Sequence, residues 1–149
     1  TVNPVHNSDT NESYHVDYEN ELVISVESLK NKLKENINAL VIRTNPNDLD
    51  KVNRNYGDYP APFLTHDSID YILDRGIKHL LVDLPSIDKA DDGGKLGNHH
   101  RFFKLGKTIS ELLYIPDSVQ EGSGFLQIQI PNWGLDAAPS RPIFYSVKF

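Results

Sequence analysis

The stretch Thr65-His-Asp-Ser-Ile-Asp-Tyr-Ile-Leu-Asp-Arg-Gly-Ile-Lys-His-Leu-Leu-Val-Asp83 limits the fold more than any other part of the chain. Thr65 is placed to cap a helix, because a hydroxyl there accepts from the unpaired N–H groups of the first turn. Ile69, Ile72 and Leu73 then fall on one helical face. Arg75-Gly76 ends the helix, glycine taking up the left-handed conformation that closes it. His79-Leu-Leu-Val-Asp83 follows at once as a strand with an acid at its end. A helix, a tight turn and a strand make an α/β unit, and the polar strand end is where such sheets place chemistry.

The rest of the chain extends this pattern. Residues 1–20 are polar, rich in Asn, Ser, Asp and Thr, and read as an exposed loop in which only Thr1-Val2 has strand character. Residues 21–149 are expected to form one domain. Ser25 caps an amphipathic helix expected over 26–36, with Val26, Leu29 and Leu33 at helical spacing. Ala39-Leu-Val-Ile42 is a buried strand. Asn45 to Pro62 is a long polar loop of the kind that forms lids or binding walls, or simply a surface excursion. A short helix is expected over 99–105. A strand is expected over 108–115, with Ile109, Glu111 and Leu113 on one face. Two further strands, 125–130 and 142–147, close the sequence. Helix–strand pairs followed by consecutive strands predict an α/β fold with a mixed sheet flanked by helices.

Composition narrows the function. The 149 residues carry a net charge of -6, and no basic stripe interleaved with aromatics offsets it, so nucleic acid is not expected as a partner. No apolar run reaches the roughly 20 residues that span a bilayer, so no membrane partner is expected either. Cysteine is absent, which removes thiolate metal sites and redox pairs. Methionine is absent as well, even at position 1, so a processed chain or a piece of a longer one is expected.

Two groups of residues carry chemistry. His99 and His100 precede Glu111, and imidazole with carboxylate suits a divalent metal. A carboxylate on an apolar strand face needs a cation, a donor or a metal. The structural alternative pairs Glu111 with Arg101 or Lys107. The second group, Asp83, Ser86, Asp88, Asp91 and Asp92, lies after the central strand, where acids bind ligands, orient a histidine or cap a turn. Arg141, in the turn Pro139-Ser-Arg-Pro142, is either a clamp for a substrate carboxylate or a surface residue.

In order along the chain, Arg43-Thr44, Arg75-Gly-Ile77, Val82-Asp-Leu-Pro-Ser-Ile-Asp88, His99-His-Arg-Phe-Phe103, Ile109-Ser-Glu-Leu-Leu113 and Ala138-Pro-Ser-Arg141 form a pattern. It resembles the cyclase family of metal-dependent hydrolases, which includes the kynurenine formamidases. The likeness runs from about Val23 to the C-terminus. It implies a swivelling β/β/α fold, incomplete in this chain, and a site for zinc or manganese that activates water against a small-molecule amide or ester. His99, His100 and Glu111 are the implied metal ligands. The His-to-Glu separation favours His99, whereas the arginine that follows favours His100. Asp83, Ser86, Asp88 and Arg141 are the implied substrate-binding residues.

The family's amino-terminal H-x-G-T-H-x-D-x-P-x-H motif is not reproduced by the spacing of His6, His15, His66 and His79. The resemblance therefore implies a carboxyl-terminal portion of a cytoplasmic enzyme, completed by a second copy or by an amino-terminal half. The alternative is a catalytically inactive domain that binds a small molecule or a partner chain.

Overall fold

The computed structural model describes residues 1–57 and 60–147. They form two compact units, Thr1–Ile115 and Pro116–Phe149. In the first unit the strands are β1 (Val5–His6), β2 (Leu22–Ile24), β3 (Ala39–Ile42), β4 (Phe63–Leu64), β5 (His79–Val82) and β6 (Thr108–Ser110). The helices are α1 (Val26–Leu29), α2 (His66–Asp74) and α3 (Gly97–Phe103). The second unit holds β7 (Gly124–Gln129) and β8 (Arg141–Ser146). Among the described residues, no helix is long and apolar enough to cross a membrane.

The α/β unit forms as its sequence requires. Thr65 Oγ1 accepts the Ser68 backbone N–H at 3.0 Å, and α2 ends where Gly76 adopts φ +76°. Ile69 and Ile72 are fully buried, as are Leu80, Leu81 and Val82 of β5. β5 lies at the centre of a parallel sheet, with β3 on one side and β6 on the other. β2 lies at the centre of a second sheet, antiparallel to β1 and parallel to β4. One apolar core joins these elements: Ile24 from β2, Ile42 from β3, Leu64 from β4, Ile69 and Ile72 from α2, Leu80 and Val82 from β5, and Phe102 from α3. Each such side chain contributes about 1.5–3 kcal/mol on burial, so the core is what brings the two sheets together. The class is α/β as expected, with the strands divided among three small sheets rather than one.

Three local expectations change. The helix expected over 26–36 stops at Leu29, because Asn31 turns left-handed at φ 65°. Leu33 and Ile37 still pack against the core from the irregular segment that follows. The strand expected over 108–115 stops at Ser110, because Leu112 takes φ 57°. There the chain turns back, and the N–H groups of Leu112 and Leu113 donate to Leu84 and Val82. The segment 1–20, expected as an exposed loop, contains β1 and a 3-10 turn over Asn7–Asp9, and its Val2 is buried.

The second unit is a two-stranded antiparallel ribbon, registered from Gly124 opposite Ser146 to Gln129 opposite Arg141. A side chain at Gly124 would collide with the Tyr145 carbonyl oxygen, so glycine is needed there. Phe125, Trp133 and Leu135 of this unit are exposed.

The long loop after β3 contains a 3-10 turn, Leu49–Val52, which carries a buried cation. Lys51 Nζ donates to the Thr44 carbonyl at 2.6 Å, to Thr44 Oγ1 at 3.1 Å and to Asp83 Oδ2 at 2.7 Å. The side chains of Lys51 and Asp83 are 5% and 0% exposed. Removing one partner of such a pair strands the other charge away from water. Lys51→Met should therefore lower the unfolding free energy by about 3 kcal/mol or more in urea titrations, and a change below about 1 kcal/mol would contradict this account.

Candidate functional site

Among the described residues, Asp88, in the loop that leaves β5, is the acid with the most hydrogen-bond donors around it. Its Oδ1 accepts from the Tyr14 hydroxyl at 2.8 Å and from the Asn98 N–H at 2.9 Å. Its Oδ2 accepts from the His99 N–H at 3.1 Å and meets His99 Nδ1 at 2.8 Å. Leu96, at the N-cap of α3, has φ 45° and offers no capping side chain. Asp88 therefore satisfies the first-turn N–H groups of α3 from a different segment. The Ser86 hydroxyl accepts from the Asp88 N–H at 3.0 Å and so fixes the turn that presents this carboxylate.

With Nδ1 committed to Asp88, the other ring nitrogen of His99 points to Glu111, Nε2 to Oε1 being 3.3 Å. Glu111 Oε1 also accepts the Ile87 N–H at 2.8 Å, so the carboxylate is anchored. His99 lies between two acids. Burial alone would lower its pKa, but the hydrogen bonds to Asp88 and Glu111 outweigh burial and raise it to about 9. Burial likewise pushes Asp88 upward, but His99 and the N–H groups of Asn98 and His99 hold it down at about 2. Tyr14, whose hydroxyl donates to Asp88, is raised well above the ordinary tyrosine value, with burial the main cause and the charges of Asp88 and Asp92 adding to it.

The structure brings His99 and Glu111 together. It leaves His100, the next residue of α3, exposed. The pairing of Glu111 with Arg101 or Lys107 is not found: Arg101 Nη1 holds both oxygens of Asp70 at 2.7 Å, and Lys107 lies over the Phe102 ring. Asp88 meets His99 rather than open space. Asp83 is engaged by Thr44 and Lys51 at both of its oxygens, and its side chain has no exposure, so it holds the fold together here. Arg141 opens β8 in the second unit and is exposed. Among the described residues, no three His, Asp or Glu side chains are placed to hold a metal ion. The converging donors are His99 Nε2 and Glu111 Oε1, fewer than the three protein ligands of a catalytic zinc.

Four participants were not visible in the sequence: Tyr14, His15, His66 and Asn98. His15 Nδ1 lies 3.0 Å from His66 Nε2, and His66 Nδ1 lies 2.7 Å from Asn98 Oδ1. These residues come from three separate segments, so no local spacing connects them. Two cavities border the Lys51 turn. One, of about 790 Å³, is lined by Leu22, Tyr56, Pro62 and Leu84 among others, and one, of about 330 Å³, by Asp83 and Leu112 among others.

The His99 cluster has a definite pH signature. A histidine whose folded pKa is raised stabilises fully below its ordinary value of 6.5 and loses that contribution as pH climbs through about 9. Asp88, lowered from 3.8, contributes above that value and loses its share as pH falls through about 2. The pair therefore stabilises most between pH 3.8 and 6.5. In the metal-free protein, NMR should show the His99 ring titrating near pH 9. Asp88→Asn should move that titration down by at least about one unit, and an unmoved titration would remove Asp88 from the role described.

No family model matches the sequence. The chain is similar to the kynurenine formamidases of two Bacillus cereus strains, 32% and 30% identical over 131 residues, and to that of Bacillus mycoides, 28% identical over 130 residues. Each alignment takes in 86% of this chain and 59% of the relative, so the chain spans about three-fifths of the length of the curated relatives it matches. Two solved structures share the fold at 20% identity. One is described as a predicted metal-dependent hydrolase from Bacillus stearothermophilus, with a TM-score of 0.64, covering 96% of this chain and 63% of that one. The other is described as a potential metal-dependent hydrolase with cyclase activity, with a TM-score of 0.61, covering 82% and 57%. The sequence likeness to the kynurenine formamidases, together with a fold shared with proteins described as metal-dependent hydrolases, supports a cyclase-like family for this chain.

Proposed function

We propose that the protein hydrolyses an amide or ester bond in a small molecule, in the manner of an arylformamidase, with zinc or manganese held in part by His99 and Glu111. The observation that carries this reading is the orientation of His99. Its Nδ1 is engaged by a buried carboxylate at 2.8 Å, while its Nε2 is aimed at a second carboxylate. A carboxylate behind a histidine is the usual support of a metal-ligating imidazole, fixing its tautomer and its direction. The kynurenine formamidase relatives support the reaction class, and the metal-dependent hydrolases of the same fold support a divalent ion. On this reading Asp88 orients His99, Glu111 is the second donor, and Ser86 is offered to substrate. The two donors are one short of a catalytic set, so the reading requires at least one donor from outside the described residues. The exposed Phe125, Trp133 and Leu135 support a homo-oligomer.

The incomplete donor set also favours a second reading, a catalytically inactive domain that binds a small molecule. Both are tested together by measuring formate release from an aryl formamide and metal content by elemental analysis. His99→Ala and Glu111→Gln should each lower metal content and turnover by about ten- to a hundredfold, and His100→Ala should change neither. Equal tolerance of the two histidine substitutions removes the ligand assignment. Ligand binding without any turnover selects the second reading.

A further inference from the structure

Beside the His99 cluster runs a second polar chain, Asp92–His15–His66–Asn98, whose hydrogen-bond directions are set from the Asn98 end. Asn98 Nδ2 donates to the carbonyl oxygens of Leu64 at 2.7 Å and Ile87 at 3.0 Å. Its Oδ1 is therefore the acceptor that meets His66 Nδ1 at 2.7 Å. A neutral His66 with its proton on Nδ1 has a lone pair on Nε2, and that atom accepts from His15 Nδ1 at 3.0 Å. The other nitrogen of His15 faces Asp92 Oδ2 at 3.2 Å, an atom that only accepts, so with all three contacts made His15 donates from both nitrogens and has no lone pair to turn toward His66. Asp92 is itself fixed by the N–H groups of Lys95 and Leu96.

Packing leaves the pair no room to shift. The two imidazoles stack with centroids 5.0 Å apart, and the Tyr14 ring lies 4.3 Å from His15 and 4.7 Å from His66. A Cβ on Gly97 would fall 2.6 Å from His15 Nδ1 and 2.9 Å from His66 Cε1, so α3 begins directly against them. His66 is 8% exposed.

We propose that His66 is an acid-released latch. A proton added from solvent to its Nε2 would set two N–H donors against each other across the 3.0 Å gap and free the Tyr14–His15 segment from α2 and α3. The charged and titratable groups around His66 are His15, with Asp92 behind it, Asp88 from the loop after β5, Arg101 on α3 and Asp67 next to it on α2. Burial lowers the His66 pKa most, His15 and Arg101 lower it further, and Asn98 and Asp88 offset only part of this. A released segment leaves His66 near its ordinary 6.5, so the open form takes up the proton first and gains as pH falls below that value. Opening also withdraws the Tyr14 hydroxyl from Asp88, so the latch bears on the site proposed above, although its own test needs no turnover.

The test is backbone amide hydrogen exchange over residues 13–17 and 97–100, corrected for intrinsic rates, between about pH 7.5 and about pH 5. Below about pH 6.5, protection should fall by up to about tenfold per pH unit in the native protein. It should stay level in His66→Gln, whose amide keeps one donor and one acceptor without titrating. Protection that does not change in the native protein, or falls equally in the variant, overturns the proposal. Long-range proton–nitrogen NMR of the native protein gives a second measurement that needs no variant. Near neutral pH the His66 proton should be on Nδ1, and a proton on Nε2 overturns the latch.

Discussion

The arrangement of the first unit depends on the carboxylate of Asp88. It accepts from a tyrosine in the amino-terminal segment, from two backbone groups at the head of α3 and from the imidazole of α3. A carboxylate side chain with no exposure loses several kcal/mol of hydration, and charge-assisted hydrogen bonds of about 1.5–3 kcal/mol each offset that loss only when nearly all are made. This requirement gives Asp88 its structural reach. Tyr14 comes from an irregular segment and the other donors from the first turn of a short helix, and each is held where the carboxylate needs it.

Asp83 follows the same electrostatics toward a different end. It sits at the carboxyl end of β5 and closes on Thr44 at the end of β3, with Lys51 as counter-charge. Between the two acids, Leu84 and Ile87 are buried in the core, so the loop is anchored by apolar contacts as well as by ions. The strand end thus separates two tasks. Its first acid closes the sheet and pins the long loop, and its later acid orients a histidine. Position in the chain cannot distinguish these roles. What distinguishes them is the partner, a lysine whose three protons are all used in one case and an imidazole with a second nitrogen to spare in the other.

What could be read from the sequence was what periodicity and caps encode. Thr65, the apolar face of α2, Gly76 and the run into β5 are local signals, and each forms as expected. The meeting of His99 with Glu111 was legible only through the family resemblance, because the two sit on different elements and spacing alone favoured a pairing of Glu111 with Arg101 or Lys107. The early ends of α1 and β6 were hidden because Asn31 and Leu112 adopt left-handed conformations. Asparagine tolerates that conformation through its short polar side chain, but leucine does so here because the returning chain finds acceptors on Leu84 and Val82. The role of Tyr14 and His15 was hidden by their neighbours. Their segment is polar in composition, yet its rings fold inward against Phe63 and His66.

The head of α3 is where these interactions converge. Asn98 and His99 are consecutive, and their side chains enter different networks, Asn98 reaching the His15–His66 pair and His99 reaching Asp88 and Glu111. Their backbone N–H groups both end on Asp88. A helix this short has little cooperative stability of its own, so its position is decided by the groups that hold its first turn. Gly97 brings that turn into contact with the imidazole pair, and Tyr14 joins the pair to Asp88, its ring lying against the imidazoles and its hydroxyl donating to the carboxylate. Any change in the charge or contacts of one network therefore reaches the other through a single turn of helix, and the direction of His99 depends on both.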